Sequence, residues 1–235
     1  MKYPYLPPKD IVRAAEGLLT RAFGAEIPVP VDLETILFDV LAEEEQLAFD
    51  DERVLGRKDG DRILGQMWPF RNRIEICASL KDPHSRGRRK GRYRFTVSHE
   101  IGHWVLHRPL YLQSDAGASH GLFGPADAQD RMISLHRNVF ATASVSPPEE
   151  VQANRFAASL LIPASGLRQE FARRFGQPPV ATNPADSVHT TATDLARRTT
   201  RSIGTSLCDC FEVSGHAMAI ALESAGYVTD QPTLL

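Results

Sequence analysis

Between Phe95 and Leu106 the chain carries a single charged residue, Glu100, and it sits inside His99-Glu100-Ile101-Gly102-His103. Phe95, Val97, Ile101, Trp104 and Val105 recur at helical spacing around it, which predicts a buried helix over 93–107. A core helix holding two imidazoles and a carboxylate is costly, because buried polar groups need partners. Two core histidines without a metal are therefore the poorer reading. His99 and His103 are four residues apart, so a helix sets both rings on one face, one turn apart. Zinc takes imidazole nitrogen at about 2.0–2.1 Å, and a catalytic site uses three protein ligands plus water. Glu100, next to the first ligand, is placed to take a proton from that water. Manganese or iron also suits such a donor set.

A third ligand is sought downstream, in the apolar-periodic segment from Pro148 to Pro163. Glu150 and Asn154 again stand four apart on one helical face, while Val151, Phe156, Leu160 and Leu161 offer packing toward the metal helix. Glu150 completes the site on this reading. Asn154 would accept the N–H of a ligating histidine, the support that such ligands usually have. Glu149 is the second candidate for the ligand, since either acid also suits a helix N-terminus.

The remaining chain narrows the class. Its 235 residues allow one sizeable core, and 27 basic against 29 acidic residues leave no surplus for general nucleic-acid binding. Cys77, Cys208 and Cys210 are too few and too scattered for a disulfide framework, and are expected as reduced thiols. The opening residues do not resemble a signal peptide, and no run is apolar for the 18 or so residues that a span requires, so a cytoplasmic location and no membrane association are expected.

Helices are predicted over 9–24 and 32–42, with Asp32 as a cap. Strands follow at 47–49, 62–68 and 73–77, read as a small antiparallel sheet. Residues 81–92 read as a loop, 108–148 as a long excursion with one short helix near 127–138, 149–162 and 164–175 as helices, 177–192 as a linker, and 193–209 and 214–225 as closing helices. The expected class is α+β, with a small antiparallel or mixed sheet against the metal helix and a mostly helical C-terminal half. A main domain over 1–176 and a C-terminal helical segment over 177–235 packed on it are expected.

The run Arg94-Phe95-Thr96-Val97-Ser98-His99-Glu100-Ile101-Gly102-His103, with the later Ala153-Asn154-Arg155-Phe156-Ala157-Ala158-Ser159-Leu160-Leu161-Ile162-Pro163, resembles the ImmA/IrrE family of bacterial metallopeptidases. Pro28-Val29-Pro30-Val31-Asp32, Ile74-Glu75-Ile76 and Phe211-Glu212-Val213-Ser214 are similar too. The resemblance implies a zincin-like fold whose edge strand lies along a substrate cleft, with two histidines and a downstream glutamate on zinc. It further implies cleavage of, or action with, a helix-turn-helix repressor, often in stress responses. This chain departs from the family in having Gln152 where Glu is common, Ala221 at a commonly basic position, and a long 108–148 stretch.

The first expectation is thus a zinc endopeptidase with Glu100 as general base and His99, His103 and Glu150 on the metal. A regulatory, antitoxin-type binding protein that keeps its zinc site without cutting is the alternative, and a small-amide hydrolase is a third. Six basic residues between Arg86 and Arg94 read as a solvated surface. Leu207 to Val228 has a helix-turn-helix rhythm, but Ser214 to Gly226 holds no Lys or Arg, so the segment is read as packing and not as a DNA reader. His107, His120, His136, His189, His216, Tyr93 and Tyr111 are candidates for a donor to the substrate oxyanion.

Overall fold

The computed structural model describes residues 5–58, 60–81, 88–116, 133–136, 147–176, 180–181 and 203–229. Helix α1 (Pro8–Phe23) buries Ile11, Ala15, Leu18 and Leu19, one stripe at the helical repeat. Pro28 and Pro30 interrupt the chain before α2, which runs from residue 33 to Glu45 and is π-helical over Thr35–Ala42. Asp32 caps it as expected. Its carboxylate accepts from the Glu34 N–H at 2.9 Å and from the Thr35 hydroxyl at 3.0 Å.

The sheet comprises β1 (Ala48–Arg53), β2 (Arg57–Lys58), β3 (Asp61–Trp68), β4 (Arg73–Cys77) and β5 (Ile133–His136). It is mixed and not simply antiparallel. β3 and β4 form the expected hairpin, with Gln66 opposite Glu75. β1, however, lies parallel to β4, with Phe49 opposite Ile74, because β2 and β3 intervene in the chain as the crossover. Glu75 is buried but well partnered. Its carboxylate accepts from Gln66 Nε2, from Trp68 Nε1 at 3.1 Å and from Arg73 Nε at 2.8 Å.

The other side of β3 pairs antiparallel with β2 at one end and with β5 over Ile63–Met67. Thus the expected short helix at 127–138 is not what 133–136 form. Four residues are too few for periodicity to choose between helix and strand, and the open edge of β3 decides. The rest of that expected helix lies outside the described residues.

Helix α3 (Arg88–Leu106) carries the motif and begins at Arg88, earlier than the expected 93. Two of its basic residues, Lys90 and Arg94, find partners, so 88–92 is helix where a loop is expected. Arg94 is buried and donates to the Val31 carbonyl at 2.6 Å, and Lys90 donates to Glu212. α4 (Arg108–Ala116) follows directly. α5 (Pro148–Leu161) packs along α3 and also touches α1. α6 (Ala164–Phe175), a helix over 203–211 (α7) and α8 (Gly215–Ser224) add Leu167, Phe171, Leu207, Phe211, Met218 and Leu222 to the same core. Short strands β6 (Val180–Ala181) and β7 (Val228–Thr229) pair in parallel. The expected helical start at 193–202 lies outside the described residues. The protein is therefore mixed α+β and mostly helical, and among the described residues no helix is long and apolar enough to cross a membrane.

Candidate metal centre

The α3–α5 contact brings three donor groups together. His99, His103 and Glu150 each offer one ligand atom, all within 4.8 Å of one another. His99 Nε2 lies 3.2 Å from Glu150 Oε2, His103 Nε2 lies 3.3 Å from Glu150 Oε1, and the two Nε2 atoms are 2.9 Å apart. Ligands at about 2.0–2.1 Å on a tetrahedral ion stand roughly 3.3 Å from each other. The two histidine–carboxylate separations match that edge and the 2.9 Å between the Nε2 atoms is somewhat shorter, so the residues fit a small cation such as zinc.

Two glycines make the arrangement fit. A Cβ on Gly102 would lie 3.2 Å from Ala153 Cα and 3.2 Å from Ala153 O, so any larger residue would push the two backbones apart by a few tenths of an ångström. Gly102 is flanked on α3 by His99 and His103, and Ala153 on α5 by Glu150 and Asn154, so this one contact sets the whole donor group. On the sheet side, a Cβ on Gly65 of β3 would lie 2.6 Å from Glu100 Oε1. The carboxylate of Glu100 is therefore tucked directly under β3.

Burial shapes the electrostatics. His99, Glu100 and His103 are fully buried, and Glu150 is 8% exposed. Burial pushes His103 down to about 3, against the pull of Glu150, so its ring stays neutral at ordinary pH. Burial alone would raise Glu150, but the imidazoles of His103 and His99 outweigh it and hold the carboxyl well below its usual range. Neutral imidazole and ionised carboxylate are the forms that a metal requires.

The rings are fixed from behind. Asn154 Oδ1 lies 3.0 Å from His99 Nδ1, as the spacing predicts. His103 Nδ1 lies 2.8 Å from His107 Nδ1, and His107 Nε2 lies 3.0 Å from Gln152 Oε1. His107, expected among the oxyanion donors, thus sits fully buried on the far side of His103. Sequence reasoning missed its pairing with Gln152, although His107 follows His103 at the same four-residue step that links the ligands.

The structure chooses Glu150 over Glu149, which is half-exposed and outside the donor group. The hydroxyl of Tyr93, another candidate oxyanion donor, donates to Asp51 at 2.6 Å. Its pKa is raised by burial and by that carboxylate. Tyr111 is half-buried on α4. His120 and His189 lie outside the described residues, as do the side chains of His136 and His216. All three cysteines are free thiols, as expected.

No family model and no curated protein matches this chain. The resemblance to ImmA/IrrE metallopeptidases accordingly stands on the motif residues alone.

Proposed function

We propose that this chain is a zinc-dependent endopeptidase of the zincin kind that acts in the cytoplasm on a regulatory protein. A helix-turn-helix repressor is the substrate class to which the motif resemblance points. The observation that carries the proposal is the convergence of His99, His103 and Glu150 into one buried donor group, with Glu100 on the same helix as the two histidines.

His99, His103 and Glu150 hold the ion, and Asn154 orients the His99 ring. Bound zinc would polarise a scissile carbonyl and ready a water for attack. Glu100 takes the proton from the attacking water and passes it to the leaving amine. The sheet supports a peptide over a small amide, because extended peptides add to strand edges and β3 runs directly above Glu100. β5 holds that edge over Ile63–Met67, so an incoming strand either takes its place or pairs beyond it.

The test is to incubate the purified, zinc-supplied protein in lysate of its own source cells and compare new protein N-termini with those made by a Glu100→Gln variant. A chelator-sensitive cut in a DNA-binding regulator, absent with the variant, is expected. Glu100→Gln should still bind zinc, and wild-type cleavage by it would refute the mechanism. One observation favours the second reading, a binding protein that does not cut: Glu100 and both histidines have no exposed surface. On that reading an intact partner co-purifies and no new N-termini appear.

A further inference from the structure

We infer that Gln152 and His107 form a relay that fixes the proton positions on His103 and so keeps its metal-facing nitrogen bare. The inference rests on His99, His103 and Glu150 holding a metal and extends it to two residues that touch no metal.

The argument follows the direction of each hydrogen bond. Gln152 is 5% exposed and His107 is fully buried, so their contact is made without water. The Gln152 Oε1 that faces His107 Nε2 at 3.0 Å is a carbonyl oxygen and only accepts. His107 Nε2 therefore carries the hydrogen. His107 has no exposed surface, where the uncharged ring is the cheaper form, and an uncharged imidazole has one N–H, so with Nε2 donating to Gln152 its Nδ1 is an acceptor. The 2.8 Å contact from that nitrogen to His103 Nδ1 then requires His103 Nδ1 to donate. With its hydrogen on Nδ1, neutral His103 presents a bare Nε2 lone pair toward His99 and Glu150.

Asn154 does the same for His99 by a shorter path: its Oδ1 accepts from His99 Nδ1 at 3.0 Å, leaving His99 Nε2 bare. Two bare nitrogens 2.9 Å apart, with carboxylate oxygens at 3.2 and 3.3 Å, are all acceptors. Such a group repels itself until a cation enters it. The orientation of one amide controls the outcome. Were Gln152 turned round, its NH2 would face His107 Nε2, the relay would reverse, and a hydrogen would sit on His103 Nε2 and block the metal. His107 and Gln152 act through His103 and are positioning residues.

The experiment uses the full chain. Zinc affinity is measured by chelator competition for wild type, His99→Ala, His107→Phe and Gln152→Glu, and the protonated nitrogen of each histidine is read by 15N NMR in zinc-loaded wild type. His107→Phe keeps the ring volume but cannot accept, and should weaken zinc binding about 10–100-fold. Gln152→Glu keeps the acceptor and should stay within about threefold of wild type, far inside the 10–100-fold loss that follows when a ligand's support is removed. The NMR should place hydrogen on His107 Nε2 and His103 Nδ1. A hydrogen on His107 Nδ1, or wild-type affinity in His107→Phe, overturns the relay. If His107→Phe does not fold, the wild-type NMR decides alone. Wild type binding zinc no better than His99→Ala would instead remove the metal reading on which the relay stands.

Discussion

Replacing Gly102 by alanine pits two known effects against each other at the point that assembles the metal centre. The new Cβ would meet Ala153 Cα, Ala153 O and Phe156 Cδ1, each at 3.2 Å. Carbon contacts settle at about 3.5–4.0 Å, so something must give by a few tenths of an ångström. Two of the three neighbours are backbone, so the strain falls on the α3–α5 spacing and not on a side-chain rotamer. Alanine gains about 0.5–1 kcal/mol of helix propensity over glycine. Overpacking costs about 1–3 kcal/mol. The folded state should therefore lose roughly 0–2 kcal/mol, a modest change. The metal centre has less slack, because ligand distances tolerate only about ±0.2 Å. Glu150 and Asn154 retreat with α5 while His99 and His103 stay on α3, and zinc affinity should fall by about tenfold or more. Urea melts of the metal-free protein and chelator competition report the two effects separately. A variant that is about 1 kcal/mol more stable and binds zinc as tightly as wild type would show that propensity wins. The close helix contact would then not be what sets the donor group.

Two further outcomes are expected. Gly65→Ala would put a Cβ 2.6 Å from Glu100 Oε1 and 2.9 Å from Thr96 Cγ2, and the carboxylate, the far end of a flexible side chain, is the part that must shift. Zinc content should hold while peptide cleavage drops about a hundredfold, the cost of misplacing a reacting group by about 1 Å; cleavage at the wild-type rate would remove Glu100 from its assigned position. The third concerns pH. His103 lies at about 3 instead of its ordinary 6.5, so the folded state binds fewer protons than the unfolded chain between those values. Stability of the metal-free protein must then fall as pH falls through that window, by about 2 kcal/mol from pH 7 to pH 5. Glu150 adds nothing there, because a lowered carboxyl loses its stabilisation only below the ordinary carboxylate range. Urea melts at the two pH values check this, and a flat profile would contradict a buried neutral ring.

What was legible in the sequence was local. His99, Glu100 and His103 lie within two helical turns, so covalent spacing alone sets them on one helix, and the same spacing links Glu150 to Asn154. The helices over Pro8–Phe23, Pro148–Leu161 and Ala164–Phe175 and the β3–β4 hairpin were visible for the same reason, since periodicity and Pro, Gly and Asp signals act over a few residues. The choices that depend on how separate elements meet were not visible. The spacing to Asn154 ranked Glu150 above Glu149, but only the seating of α5 against α3 brings the Glu150 carboxylate to the two histidines. Residues 133–136 become a strand because β3 offers them an edge, and β1 is parallel because of where the chain crosses. His107 shares the face of its motif by spacing, but its meaning comes from Gln152, 45 residues away on another helix. A sequence specifies which groups a helix presents along its own axis; which groups face each other across two helices is settled by packing, where the presence of a single Cβ decides how close the backbones come.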